Sequence, residues 1–205
     1  IKNSIVKDKI FDEHIFKIGK KYILTNSAVI DAGANYGQYS ILFSECQKNV
    51  EVHSFEANKF VYEILNKNIK TNKAKIKSYN CLLGKIKKST INIEKIKLKT
   101  ADYGSQKFEV SNKSKSTEQI KAIRIDDINF KKKISFFKID VEGMDYEVLL
   151  GAKKTILKHK MPIVFEYINQ KSQYSFKDIK KFVKQINYYF AKKIDKSNYL
   201  IKSKV

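Results

Sequence analysis

The sequence predicts an α/β protein built on a parallel sheet, and two observations support this prediction. Short apolar runs at 28–32, 50–57 and 75–80 alternate with segments at 36–47 and 58–71 whose apolar residues recur at helical spacing. A glycine-rich turn follows the first of these runs. Because strands alternate with helices, we expect parallel pairing with right-handed crossovers.

A helical segment precedes this alternation, and an insert interrupts it. Within the N-terminal segment 1–27, apolar residues at helical spacing predict a helix over 4–24. Residues 82–133 are rich in Lys and Ser and predict an insert of strands and loops. Inside the insert we expect strand-like pieces at 90–93, 106–110 and 120–125 and a short helix near 126–130.

After the insert the alternation returns and ends in a hairpin. In chain order the sequence predicts a strand at 134–140, a helix at 144–159, a strand at 162–167, a helix from Ser175 and strands at 188–194 and 199–205. Ser175 with Asp178 three residues later is a helix-start pattern. The polar residues between the last two strands predict a β-hairpin. The sheet should therefore have seven strands, with one antiparallel to its neighbours.

The composition fits one globular domain over 1–205. The chain has 205 residues, of which 42% are hydrophobic, enough for a core. We expect no secretory signal, and the given sequence contains no apolar run of transmembrane length. Cys46 and Cys81 lack the spacing of a disulfide framework or a zinc site. We therefore expect a cytoplasmic protein, with peripheral binding at the inner face of the membrane left open.

The net charge of +21 favours anionic partners such as phosphates, anionic lipid or nucleic acid. However, Arg124 is the only arginine, whereas readers of bases and clamps on phosphates favour arginine. The excess of Lys, Ile and Asn indicates a bias in base composition together with a mildly anion-seeking surface. Nucleic acid is therefore the less favoured partner, and an anionic membrane surface stays open.

The motif VIDAGANYGQYS at 29–40 predicts a tight turn between a strand and a helix. Gly33 and Gly37 permit backbone conformations that side chains forbid. Ligands of open α/β sheets bind at the carboxyl ends of the strands, where this turn lies. A plain turn without a ligand is the alternative, since a lone glycine-rich turn is weak support.

Glu56 ends the second strand and strengthens the ligand hypothesis. A carboxylate there is placed to accept both hydroxyls of a ribose, which indicates an adenosine-type cofactor. For NAD, the fingerprint G-x-G-x-x-G is expected, but the spacing here is Gly33-x-x-x-Gly37. S-adenosylmethionine (SAM) has no phosphates and suits a turn that passes under its amino acid part. The sequence therefore favours SAM.

Five motifs together resemble the FkbM-type family of SAM-dependent methyltransferases. They are VIDAGANYGQYS at 29–40, FEAN at 55–58, IRIDDI at 123–128, KIDVEGMDYEVLLGA at 138–152 and PIVFE at 162–166. The resemblance covers about residues 20–205. It implies the Rossmann-like class I methyltransferase sheet, with strand order 3-2-1-4-5-7-6. It also implies O-methylation of small molecules, often sugars of glycans or glycolipids.

The turn and the strand ends supply the predicted cofactor contacts. These residues are Asp31, Gly33, Ala34, Asn35, Tyr36, Gly37, Tyr39, Ser40, Glu56, Ala57, Asn80, Cys81 and Asp140. For Asp31 a purely structural role under the turn is the alternative. For Cys81 the alternative is a small buried residue. Two positions depart from the family pattern: Ala57, where Pro is common, and Asp145 or Tyr146, where Glu is common.

Asp140 is predicted to be the catalytic base or the group that orients the acceptor, with Glu142 and Glu166 as further candidates. A hydroxyl acceptor reacts faster when a base takes its proton, and these carboxylates end central strands. Capping of the next helix is the alternative role for Asp140 and Glu142. No histidine is placed for proton transfer: His14 is expected at the surface. Clustered carboxylates also suit Mg²⁺, but no compact ligand set is evident, so we expect no metal.

The acceptor is expected to be a small molecule or a glycan bound under the insert 82–133 and the first helix. Two other classes of function stay open. One is an RNA methyltransferase, which the charge favours but the near absence of arginine disfavours. The other is a non-catalytic scaffold that has kept the fold.

Overall fold

The computed structural model of the chain describes residues 10–86, 89–94, 117–170 and 172–204. The helices are α1 (Glu13–Tyr22), α2 (Gln38–Glu45), α3 (Lys59–Thr71), α4 (Asp145–Gly151), α5 (Lys153–His159) and α6 (Phe176–Gln185). The strands are β1 (Ala28–Ala32), β2 (Glu51–Glu56), β3 (Ile76–Asn80), β4 (Leu82–Leu83), β5 (Ser89–Glu94), β6 (Thr117–Ile123), β7 (Ile134–Ile139), β8 (Ile163–Glu166), β9 (Tyr188–Lys193) and β10 (Asn198–Ser203).

Seven strands form the main sheet in the order β3-β2-β1-β7-β8-β10-β9. The pairs among β3, β2, β1, β7 and β8 are parallel, and β10 runs antiparallel to both β8 and β9. Apart from the strands of the insert, this is the predicted order with one antiparallel strand. The sequence prediction of the sheet is therefore confirmed.

The central strands β1 and β7 are mostly apolar, as expected where both faces of the sheet are covered. Every residue of β1 and of β7 is buried. On one face, Ile30 and Phe137 belong to the core that also includes residues of α4, α5 and α6. On the other face, Val29 and Phe136 pack with α1 and α2. Alternation along the strands thus assigns each side chain to one helical layer.

The prediction of one helix over 144–159 is wrong, because the chain breaks at Ala152 into α4 and α5. The carboxylate of Asp126 accepts hydrogen bonds from the backbone N–H groups of Lys154 and Thr155, at 3.0 and 2.8 Å. These donors lie in the first turn of α5, where helical N–H groups have no partner within the helix. A residue of the insert therefore caps α5 and favours the break.

The insert forms a separate three-stranded sheet in the order β4-β6-β5. The predicted pieces at 90–93 and 120–125 correspond to β5 and β6, while 106–110 lies outside the described residues. The predicted helix near 126–130 is a short 3-10 turn at Ile125–Asp127. The insert joins the main sheet directly after β3.

Of the first helix predicted over 4–24, the structure shows only α1, because Asp12 has a left-handed backbone (φ 47°) and the chain leaves the helix after Tyr22. Residues 10–12, 23 and 24 are not helical, and the first nine residues of the chain lie outside the described part. Ile15 and Ile18 are buried residues of α1 against the sheet. No helix in the described ranges has the length and apolar character needed to cross a membrane.

The cap on α5 can be tested by Asp126→Ala. This change leaves two N–H groups of α5 without their acceptor and should lower the free energy of unfolding by about 0.5–2 kcal/mol. Urea denaturation measures the loss. The neighbouring Asp127 pairs with Arg124 at the surface, so Asp127→Ala is the matched control and should cost at most about 1 kcal/mol. A smaller effect for Asp126 than for Asp127 would contradict the capping role.

Candidate active site

Glycine shapes the turn between β1 and α2 at two positions. Gly33 has φ +73° and Gly37 has φ +90°. A Cβ added at Gly33 would lie 1.8 Å from the carbonyl oxygen of Asp140. The N–H groups of Gly33 and Ala34 both donate to the carbonyl oxygen of Phe55, at 3.0 and 2.9 Å. The turn therefore packs against the chain segments that follow β7 and end β2, and these contacts require glycine at position 33.

The Glu56 carboxylate at the end of β2 is buried and holds the turn from the side. Its Oε2 accepts the backbone N–H of Asn35 and its Oε1 accepts that of Asn58, both at 2.9 Å. These bonds use one lone pair on each oxygen and leave the second for other donors. Burial raises the pKa of Glu56 to about 7, although both hydrogen bonds favour the charged form.

The next strand end supports Glu56 through its backbone. Asn80 Nδ2 donates to the carbonyl oxygens of Glu56 and Ala57, at 2.9 and 3.0 Å. Cys81 belongs to the main core, and burial raises the pKa of its thiol to about 12. A protonated, packed thiol corresponds to the structural alternative stated for Cys81.

A buried ammonium joins the ends of the two central strands. Lys138 Nζ lies 3.4 Å from Asp31 Oδ1, 3.5 Å from Asp140 Oδ2 and 3.2 Å from the carbonyl oxygen of Gly33. The side chains of Lys138 and Asp31 are 4% and 0% exposed. Burial alone would lower the pKa of Lys138, but Asp31 and Asp140 raise it above its ordinary value. The ammonium therefore stays charged.

Ser40 and Tyr39 lie beneath the turn. Ser40 Oγ donates to Asp31 Oδ2 at 2.5 Å and accepts from Ser54 Oγ at 2.7 Å. The Tyr39 hydroxyl lies 3.0 Å from the carbonyl oxygen of Phe11, and its ring centroid lies 5.1 Å from Lys138 Nζ. Their cofactor contacts stay a prediction. The observed hydrogen bonds favour a supporting role for both side chains.

The three predicted catalytic carboxylates lie at the ends of β7 and β8. The Asp140 side chain is 44% exposed, in contrast to the fully buried Asp31. Glu142 adopts φ +54°, a left-handed conformation in the turn that follows. Glu166 Oε1 accepts a hydrogen bond from Ser197 Oγ at 3.2 Å. Of the carboxylates beside Lys138, Asp140 is the one that an acceptor can reach.

Asp145 is a further buried carboxyl between these strand ends. Its Oδ1 accepts the backbone N–H of Glu166 at 3.1 Å, while its Oδ2 is buried without a hydrogen-bond partner among the described residues. Burial, together with the charges of Asp140 and Glu166, raises the pKa of Asp145 to about 8. Asp145 is therefore largely protonated at neutral pH, and it links the segments that carry the catalytic candidates.

Sequence reasoning missed Lys138 and Asn58 as site residues. Asn58 caps α3, since its Oδ1 accepts the N–H groups of Phe60 and Val61 at 3.0 and 3.2 Å. An Asn directly before a helical pattern is a cap signal that could have been read. A lone lysine in the apolar run of β7 was the signal for Lys138, because buried lysines require partners.

His14 lies at the surface, as predicted, but it has a partner that the sequence did not indicate. Its Nε2 lies 2.7 Å from Asp195 Oδ2, on the turn between β9 and β10. Asp195 is held in place by the backbone N–H groups of Ser197 and Asn198, at 2.9 and 2.8 Å. Burial would raise the pKa of Asp195, but these bonds and His14 lower it to about 2. The pair ties α1 to the terminal hairpin.

The sheet order, the turn and the carboxylates at the strand ends define the class I SAM-dependent methyltransferase fold. The family model described as "Methyltransferase FkbM domain" matches residues 31–190 of the sequence. The chain therefore belongs to the FkbM methyltransferase family, and this family and fold imply SAM as the methyl donor. No curated protein sequence matches the chain.

Solved structures share this fold at low sequence identity. A methyltransferase FkbM from Methylobacillus flagellatus KT matches with a TM-score of 0.59 and 16% identity over 87% of this chain. The present chain spans 44% of the length of that protein. A SAM-dependent methyltransferase from Clostridium acetobutylicum ATCC 824 matches at 0.55 and 9%, covering 98% of this chain and 95% of the other. A precorrin-6y C5,15-methyltransferase from Geobacter metallireducens GS-15 matches at 0.52 and 13%, covering 94% and 88%.

The observed residues fit SAM as the cofactor. Each oxygen of Glu56 keeps a lone pair for a ribose hydroxyl. The turn from Gly33 to Gly37 presents backbone beside it. No phosphate-binding lysine or arginine is needed, since SAM carries no phosphate. We therefore assign Glu56 and this turn as the groups that would hold the nucleoside and the amino acid part.

The buried ammonium can be tested by Lys138→Met, which leaves the Asp31 carboxylate buried without its cation. Breaking a buried ion pair in this way costs about 3–5 kcal/mol, and urea unfolding at neutral pH should show a loss of that size. Burial raises the pKa of Asp31, so the loss should shrink as the pH falls and protonation removes the charge of that carboxylate. Lys67→Met on the exposed face of α3 is the control and should stay within about 0.5 kcal/mol. A loss that does not depend on pH would contradict the ion pairing.

Proposed function

We propose that the chain transfers the methyl group of SAM to a hydroxyl oxygen of a sugar-containing or other small polar molecule, and that Asp140 is the base. The observation that supports this role is the 44% exposed Asp140 side chain beside a fully buried ion pair. The family membership supports methyl transfer, and the oxygen acceptor and its sugar are our inference.

The proposed reaction divides the work between cofactor and protein. SAM supplies an electrophilic methyl group on a sulfonium. As the acceptor oxygen takes that methyl group and the sulfur leaves with the bonding electrons, a carboxylate oxygen of Asp140 would accept the hydroxyl proton. Lys138 lies 3.5 Å from Asp140 Oδ2 and holds the carboxylate at the end of β7. Alignment of the acceptor supplies much of the rate, and proton removal contributes roughly 10²–10⁴-fold.

The segments that would enclose the acceptor are the insert and α1. Asp12, directly before α1, has its carbonyl oxygen 3.1 Å from the Tyr39 hydroxyl. Burial raises the pKa of Asp12, which also senses the charges of His14, Asp195 and Asp140. The Tyr39 ring in turn lies 5.1 Å from Lys138 Nζ, which lies 3.5 Å from Asp140 Oδ2, so these contacts link the start of α1 to Asp140. Part of the insert lies outside the described residues, so its role as a lid stays a prediction.

Glu56→Gln tests the ribose contact. The carboxylate accepts a backbone N–H on each oxygen. In the glutamine variant the amide NH₂ would face one of these N–H donors, and the side chain would no longer carry a charge. SAM affinity, measured by calorimetry, should fall by roughly ten- to a hundred-fold. The control is Glu51→Gln at the amino end of the same strand, where the side chain pairs with His53 and Lys77. Equal SAM affinity of wild type and Glu56→Gln would remove the assignment.

Asp140→Asn tests the base. Methyl transfer from labelled SAM to carbohydrate extracts should fall about a hundred-fold, while SAM affinity changes by less than about three-fold. Glu142→Gln and Glu166→Gln should have smaller effects. Wild-type activity should survive a chelator. Full activity of Asp140→Asn would exclude Asp140 as the base. Loss of wild-type activity on addition of a chelator would assign the carboxylates to a metal site. Methylation of naked RNA without methylation of carbohydrate extracts would contradict the sugar acceptor.

A further inference from the structure

A groove of about 410 Å³ lies between α1 and the terminal hairpin. Ile18, which is 9% exposed, and Ile194 contribute its apolar surface. Lys17, Lys21 and Lys192 contribute three ammonium groups. The groove therefore combines an apolar floor with a cationic rim, which is a different surface from the SAM turn.

The cations of the groove are poorly neutralised. Lys17 pairs with Glu13 at 2.9 Å, but neither Lys21 nor Lys192 forms an ion pair with any residue in the described ranges. The carboxylate of Asp195, which also lines the groove, is already engaged by His14. Cations that face one concave surface across a helix and a strand raise the local concentration of anions.

A chain of contacts links one end of this groove to the proposed catalytic carboxylate. His14 lines the groove, and two residues before it the carbonyl oxygen of Asp12 lies 3.1 Å from the Tyr39 hydroxyl. The Tyr39 ring lies 5.1 Å from Lys138 Nζ, which lies 3.5 Å from Asp140 Oδ2. From His14, α1 rises by about 1.5 Å per residue. Lys17 and Lys21 therefore lie about 5 and 10 Å farther along the helix.

We propose that this groove binds the phosphate of a phosphorylated saccharide whose hydroxyl is methylated at Asp140. This proposal rests on the proposed function and adds the anionic part of the acceptor. Lys17, Lys21 and Lys192 hold the phosphate, and the apolar floor contacts the sugar. A nucleic acid fits less well, because the sole arginine, Arg124, pairs with Asp127 away from the groove. A flat anionic membrane would not reach a concave floor.

The test uses glucose 6-phosphate as the probe and glucose as the neutral comparison, on the full chain with SAM present. Calorimetry should detect glucose 6-phosphate and not glucose. The triple change Lys17→Gln, Lys21→Gln and Lys192→Gln should weaken this binding by roughly ten-fold, the order expected for three exposed ion pairs. The matched control is Lys177→Gln, Lys181→Gln and Lys184→Gln on α6, which packs on the opposite face of the sheet. It removes the same charge and should change binding by less than about two-fold.

Three outcomes would overturn the proposal. Equal loss in both triple variants would mean that overall charge and not the groove attracts the probe. Equal binding of glucose would exclude phosphate recognition. Groove-dependent binding of single-stranded RNA or of anionic phospholipid vesicles, without binding of glucose 6-phosphate, would assign the groove to those partners. SAM affinity is measured on the same samples, so loss of SAM binding with intact probe binding would count against the proposed function alone.

Discussion

The carboxyl edge of the sheet depends on one buried ammonium, that of Lys138 between Asp31 and Asp140. Taking these charges out of water is costly, and only well-placed partners offset that cost. Lys138 has three such partners, because it also donates to the carbonyl oxygen of Gly33. The same contact set fixes the cofactor turn and the catalytic candidate relative to each other. A change in the spacing of β1 and β7 would therefore disturb cofactor and acceptor together.

The main sheet could be predicted because its strands are short, mostly apolar segments that alternate with helical patterns, and this signal is local to each segment. The break at Ala152 could not, since it depends on Asp126 in the insert. Asp126 and Asp127 are adjacent and chemically identical in the sequence. Only the folded chain shows that the first caps α5 while the second pairs with Arg124. Tertiary capping of this kind leaves no local signal.

The sequence predicts the site residues that lie at strand ends. It predicts less well those whose side-chain direction depends on how a helix packs against the sheet. Glu56 and Asp140 follow parallel strands, and those ends meet at one edge. Ser40 lies in the first turn of α2, and its orientation towards Asp31 depends on how that helix docks. Lys138 meets Asp31 through the register of β1 with β7, a long-range pairing. The lysines of the groove cannot be told from other lysines without the concave surface that they share.

The raised pKa values of Glu56 and Asp145, about 7 and about 8, make folding a proton-binding event. Their ordinary values are 4.5 and 3.8, so near neutrality the folded chain retains protons that the unfolded chain has released. The contribution of these two carboxyls to stability therefore decreases as pH rises from about 4 towards 8. A ribose that binds the charged form of Glu56 expels its proton to the solution. The heat of cofactor binding then includes the ionisation enthalpy of the buffer. Calorimetry in buffers of different ionisation enthalpy therefore detects the proton released by Glu56 without a mutation.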